Sequence, residues 1–205
     1  MSKKSVDFYF DFGSPASYIA YVRLPCIAAE AGAELVWKPM LLGGVFQATG
    51  NRSPVEVPAK GPYVMEDLKR WAQRHGVAFN HNPHFPINTL LLMRGAAGLQ
   101  MHEPARFADY VAAVFRAIWV DALDMNDPAT VGAALQRAGF DAPRILALTQ
   151  QQDVKDRLRA LTDEAVARGV FGAPTMFVGT QMFWGQDRLD FVREALVSNQ
   201  ETTSS

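Results

Sequence analysis

Four residues near the start of the chain, Ser14-Pro15-Ala16-Ser17, have the types and spacing to do chemistry. Gly13 permits a sharp turn, Ser14 is a good N-cap and Pro15 suits the first helical position, so the Ser14 hydroxyl is expected at a helix N-terminus. Such an end carries free N–H groups and the positive pole of the helix dipole, and it favours an anion placed beside it. Cysteines at positions 14 and 17 would form a redox pair whose thiol pKa the helix end lowers. With serine at both, thiol–disulfide exchange is impossible while the electropositive end remains, ready for an anion, a thiolate above all, supplied from outside. As a single residue, Ser14 is explained by capping alone.

Two further stretches carry polar or backbone chemistry. Gly172-Ala173-Pro174 opens an apolar run. It suits a turn with a cis X-Pro bond, which would leave the Ala173 backbone open to an extended peptide, although only about 5–6% of X-Pro bonds are cis and chain statistics favour a trans proline. Gly185-Gln186-Asp187 precedes the last helical pattern. Asp187 reads as an N-cap or as a carboxylate that holds an ammonium group, and the roles are compatible because a carboxylate has two oxygens.

The elements that must position these residues follow from hydrophobic periodicity. Residues 5–11 alternate as a strand, with Val6, Phe8 and Phe10 on one side and Asp7, Tyr9 and Asp11 on the other. A helix over 15–31, with a kink or break expected at Pro25, and a strand over 34–38 complete a β-α-β unit. Residues 40–58, with Gly43-Gly44, Gly50-Asn51 and Pro54, read as a loop or lid. Helical patterns follow at 63–75, 89–99, 104–121, 128–138, 143–149 and 153–168, with an irregular crossing at 80–88. The chain then returns to strand at 174–178, a Gly179-Thr180 hairpin turn, strand at 181–184 and a helix at 188–196. The fold class expected is α/β, a thioredoxin-like fold (β-α-β then β-β-α) with an inserted all-helical domain. Residues 1–40 and 169–199 form the thioredoxin-like part, 41–168 the helical insertion and 200–205 a frayed tail.

Composition bounds what such a protein can do. The chain of 205 residues carries 20 Lys+Arg against 21 Asp+Glu, a net charge of −1, so it lacks the basic surplus that a nucleic-acid or anionic-membrane partner requires. One cysteine excludes an intrachain disulfide and a multi-cysteine zinc site, and suits a reducing compartment. No signal peptide or membrane span is read, and a cytoplasmic protein is expected. His81 and His84 sit in a Pro-rich stretch and read as surface histidines, with no metal site expected. Cys26 reads as a small buried apolar residue, and Phe115, Ile118 and Trp119 as core, Trp119 with the option of lining an apolar pocket; Met40, Phe46 and Met65 are ambiguous.

Residues 6–18 (VDFYFDFGSPASY), 67–72 (DLKRWA), 170–178 (VFGAPTMFV) and 184–188 (WGQDR) together resemble the 2-hydroxychromene-2-carboxylate isomerases, relatives of the kappa-class glutathione transferases within the thioredoxin-fold group that includes disulfide-forming oxidoreductases. The resemblance spans residues 5–197 and is most specific at its two end motifs. It implies a glutathione cofactor. Ser14 would face the glutathione sulfur as the catalytic residue, Ala173 and the cis-proline Pro174 would hold the cysteinyl backbone, and Trp184, Gly185, Gln186 and Asp187 would receive the γ-glutamyl end. Asn51 would touch glutathione, while Lys60 and Phe85 would meet a small aromatic substrate. Gly13 replaces a larger residue of the family, which implies a wider pocket or a looser turn. The activity implied is glutathione-dependent interconversion of 2-hydroxychromene-2-carboxylate and trans-o-hydroxybenzylidenepyruvate in aromatic degradation, by a homodimer; the alternatives are a kappa-like transferase and a non-catalytic binding module.

Overall fold

The computed structural model describes residues 4–198, so the expected tail at 200–205 lies outside the described residues. Strand β1 (Ser5–Phe10) pairs in parallel with β2 (Glu34–Pro39), Phe8 opposite Trp37, and antiparallel with β3 (Thr175–Val178), Phe8 opposite Met176. Gly179, at φ 60°, turns β3 into β4 (Gln181–Trp184), and the sheet order is β2-β1-β3-β4. This is the mixed sheet expected from the two chain ends. Both its faces are covered: Val6, Phe8 and Phe10 enter the main core, while Tyr9 is equally buried on the other side with Met40, Val45, Ala165 and Phe177.

Helix α1 (Pro15–Glu30) follows β1 and runs unbroken through Pro25. The expected break is absent: the helix continues through Pro25, which is exposed. Cys26 is exposed as well, against the buried position expected, and its thiol donates to Glu30 Oε1 at 3.1 Å.

The stretch read as a loop at 40–58 contains a helix, α2 (Leu42–Thr49), ended by Gly50 at φ 72°. Gly43-Gly44 reads as a helix breaker only while tertiary docking is ignored. Helix α8 (Gln152–Ala167) approaches so closely that a Cβ on Gly44 would stand 3.2 Å from Thr162 Cγ2, and Thr162 Oγ1 accepts the Leu41 N–H. Between α2 and α8 come α3 (Lys60–His75), α4 (Leu90–His102), α5 (Pro104–Trp119), α6 (Pro128–Arg137) and α7 (Ala142–Gln150). Asp127 caps α6 as expected, and helix α9 (Leu189–Ser198) closes the described chain.

Asp11, one residue past β1, ties this assembly together. It is 2% exposed and accepts three hydrogen bonds: Oδ1 from the Gly13 N–H at 2.8 Å and the Thr89 hydroxyl at 2.7 Å, Oδ2 from the Leu42 N–H at 2.8 Å. Burial pushes its pKa above the ordinary value, against the pull of those donors. The carboxylate thus joins β1 to the turn before α1 and to the starts of α2 and α4. Asp11→Asn would point an amide N–H at a donor it now accepts from, and is expected to cost about 1–3 kcal/mol. Thermal unfolding checks this, at about 2–4 °C of Tm per kcal/mol for a chain of this size.

Candidate active site

The turn after β1 presents Ser14 as α1 begins. Its Oγ accepts the Ser17 N–H at 3.1 Å, which makes it the N-cap, and it donates to the Ala173 carbonyl at 3.0 Å. Pro15 has no N–H, so Ala16 carries the helix-end donor left without a partner among the described residues. Ser17 Oγ is fully buried and also lacks a partner among them.

The Ala173-Pro174 bond is cis, and Pro174 leads β3. Its carbonyl accepts the Gly185 N–H at 3.0 Å, which draws residues 184–187 beside the Ser14 turn. Two glycines make that approach possible. A Cβ on Gly172 would stand 2.6 Å from Trp184 Nε1, and one on Gly185, at φ 104°, would stand 2.5 Å from Asp187 Oδ1. Trp184 rests its ring on Phe171 at 5.0 Å, and Asp187 pairs with Arg188 at 2.8 Å.

Residues 51–53 close the other side. Asn51 Nδ2 donates to the Phe171 carbonyl at 2.7 Å, and its Oδ1 accepts the Arg52 N–H at 2.8 Å. Ser53 then caps a single 3-10 turn through Glu56. Together these segments line one cavity of about 350 Å³, within the range of small-molecule sites. Of the residues singled out by sequence, Ser14, Asn51, Phe85, Ala173, Trp184, Gly185, Gln186 and Asp187 all line it. Pro174 stands behind Ala173, and Lys60, exposed at the start of α3, is outside the lining. Phe46 and Met65 also face the cavity. Trp119 does not. It is fully buried, with Nε1 donating to the Phe12 carbonyl, and it backs Phe85 at 5.9 Å.

The site's apolar wall includes Tyr63, Val64 and Leu68 of α3, and its polar rim includes Arg52 and Asp67. Sequence reasoning missed Arg52 and Tyr63, because nothing local marks a solvent-exposed Arg or Tyr as a wall until α3 is placed across from Ser14. A larger cavity of about 500 Å³ lies among α4, α5, α6 and α7. Its two buried hydroxyls, on Tyr110 and Thr149, are engaged by the Leu92 and Leu146 carbonyls, and it contains none of the residues above. Among the described residues no group of three His, Cys, Asp or Glu could hold a metal ion, and no helix is long and apolar enough to cross a membrane.

The chain matches the family model for the DSBA-like thioredoxin domain over residues 5–197. It is 34% identical to a 2-hydroxychromene-2-carboxylate isomerase of Sphingobium xenophagum, over 95% of this chain and 98% of that protein. It belongs to the 2-hydroxychromene-2-carboxylate isomerase family. A solved structure of a 2-hydroxychromene-2-carboxylate isomerase superposes with a TM-score of 0.84 at 31% identity, covering 98% of this chain and 99% of that one. Glutathione S-transferase kappa 1 of Rattus norvegicus is 25% identical over 91% of this chain and 88% of its own. In this member of the isomerase family the matched stretch includes every segment that lines the Ser14 cavity.

Two glycines in contrasting surroundings, Gly185 of the site and Gly43 of α2, give a stability test. Gly185→Ala combines a positive φ with an overlap on Asp187 and is expected to cost about 1–3 kcal/mol. Gly43→Ala, on the open face of α2, is expected to gain about 0.5–1 kcal/mol. Opposite shifts of Tm in thermal unfolding check the pair.

Proposed function

We propose that the protein is a glutathione-dependent isomerase that interconverts 2-hydroxychromene-2-carboxylate and trans-o-hydroxybenzylidenepyruvate. The observation that carries this reading is the convergence, on one cavity, of a serine at a helix N-terminus, the backbone of Ala173 before a cis-proline, and Asp187 beside a glycine that must stay bare. Those groups fit glutathione. Its sulfur would meet Ser14 and the Ala16 N–H, its cysteinyl backbone Ala173, and its γ-glutamyl ammonium Asp187. Glutathione, when bound, supplies a thiolate that adds to an electrophilic carbon of the substrate and leaves again once the opened double bond has turned.

The chain's own residues act on charge and position. The Ser14 hydroxyl has one proton, which in this structure goes to the Ala173 carbonyl at 3.0 Å. A sulfur anion at the helix end would draw that proton toward itself, while the α1 dipole adds to its stabilisation. Among the described residues no His or Lys lines the cavity, so Ser14 has no imidazole or amine base beside it to make it a nucleophile. Asp187 must share its carboxylate between Arg188 and the incoming ammonium, which its two oxygens allow. Phe46, Tyr63 and Phe85 present apolar faces suited to an aromatic substrate and to excluding water from the sulfur. Aromatic-hydrocarbon degradation, a cytoplasmic location and a homodimeric state belong to the same reading, through the resemblance of the chain.

The test adds protein and glutathione to 2-hydroxychromene-2-carboxylate and follows the ultraviolet spectrum while free thiols are counted. A spectral change with thiols conserved is the expected result. Thiol loss with a chloronitrobenzene electrophile and no isomerisation would instead make this a transferase of the kappa type, and binding without either would make it a binding module. Ser14→Ala is expected to raise the pKa of the bound thiol by about one unit, each unit being about 1.4 kcal/mol. Loss of this single donor is expected to lower kcat/KM about a hundredfold near neutral pH, less at high pH where the thiol ionises unaided. An unchanged thiol pKa and unchanged turnover would remove Ser14 from the mechanism.

A further inference from the structure

The aromatic acid of the proposed reaction keeps its carboxylate from beginning to end, and a charge brought into a half-enclosed cavity needs a partner there. The helix end at Ser14 is already assigned to the sulfur. The remaining charged groups of the lining are Asp67, Asp187 and Arg52, so Arg52 is the one cation of the lining among the described residues. Of the acids nearby in the fold or sequence, Asp187 is held by Arg188 at 2.8 Å and Glu56 accepts the Ser53 N–H at 3.3 Å, Asp67 forms no ion pair with Arg52, and Arg52 has no ion-pair partner among the described residues. Its backbone is nonetheless anchored. The Arg52 N–H is held by Asn51, whose amide is tied to Phe171 across the cavity, while Ser53 begins the capped 3-10 turn. A guanidinium with a fixed root and a free head, lining the same cavity as Tyr63 and Phe85, suits planar, bidentate recognition of a carboxylate on an aromatic ring.

We infer that Arg52 receives the carboxylate of the aromatic substrate and so sets the preference for anionic over neutral aromatics. The inference rests on the isomerase reading for its substrate, and it displaces Lys60, which the resemblance suggested and which stands outside the lining. Glutathione also carries carboxylates, so Arg52 has a rival occupant with the same chemistry, and the test separates the two.

The full-length protein, Arg52→Gln and Arg52→Lys are compared by calorimetry, first with glutathione alone and then, saturated with glutathione, with chromone-2-carboxylate and the neutral chromone-2-carboxamide. The wild type is expected to bind the carboxylate at least about tenfold more tightly than the carboxamide. Arg52→Gln is expected to abolish that preference and Arg52→Lys to keep part of it, with glutathione affinity unchanged within about twofold in both. For turnover of the chromene carboxylate, Arg52→Gln should raise KM more than it lowers kcat. A preference that survives in Arg52→Gln overturns the inference, and so does a tenfold loss of glutathione affinity, which would place Arg52 on the tripeptide. Failure of the wild type to isomerise the chromene carboxylate, with an Arg52-dependent preference for the carboxylate intact, would overturn the isomerase reading alone.

Discussion

A carboxylate taken out of water is tolerated only where donors replace the water it loses, and at Asp11 those donors come from three separate parts of the chain. The Gly13 N–H fixes the turn that delivers Ser14. The Leu42 N–H and the Thr89 hydroxyl hold the starts of α2 and α4, both within the helical insertion, against the end of β1. Gly13 itself is hemmed in, since a Cβ there would lie 3.2 Å from Thr89 Cγ2. The Ser14 turn and the starts of α2 and α4 are therefore held together by one buried group, whose own satisfaction demands that all three segments be in place.

Ser14 shows how capping and chemistry coexist in one side chain. A hydroxyl accepts and donates at once, so it can satisfy the Ser17 N–H while its proton stays available. In this structure that proton spans to Ala173, across 159 residues of sequence. The same hydroxyl that would serve a reacting sulfur also bridges the two halves of the thioredoxin-like part, and the choice between a structural and a functional serine loses its force.

Where the determinants are local, the sequence was readable. The strand alternation from Val6 to Phe10, the Gly-Ser-Pro entry into α1 and the Gly179 hairpin each rest on a few adjacent residues, and each is found as expected. The cis bond at Pro174 went against chain statistics and was legible only through the resemblance. What failed to read was tertiary. The glycines of α2 serve close approach to α8, the exposure of Cys26 and Pro25 depends on which face of α1 meets the core, and the position of Lys60 relative to the cavity depends on an earlier start of α3 than its periodicity indicates. Arg52 has no local signature at all: only the tie from Asn51 to Phe171 makes it part of a wall.

That tie joins residues 120 positions apart, one near the start of the helical insertion and the other just past its end. A ring closed in this way behaves as a logic gate on folding: the cavity exists only when both the amino-terminal strap and the carboxy-terminal sheet edge are present and docked. A nascent chain carrying everything up to α8 would hold the serine, the helix end and the apolar wall, yet no pocket. On the glutathione reading proposed above, competence to take up a thiol arrives late in synthesis, when the segment from Phe171 to Asp187 emerges, and an imported sulfur would be admitted only to a finished fold.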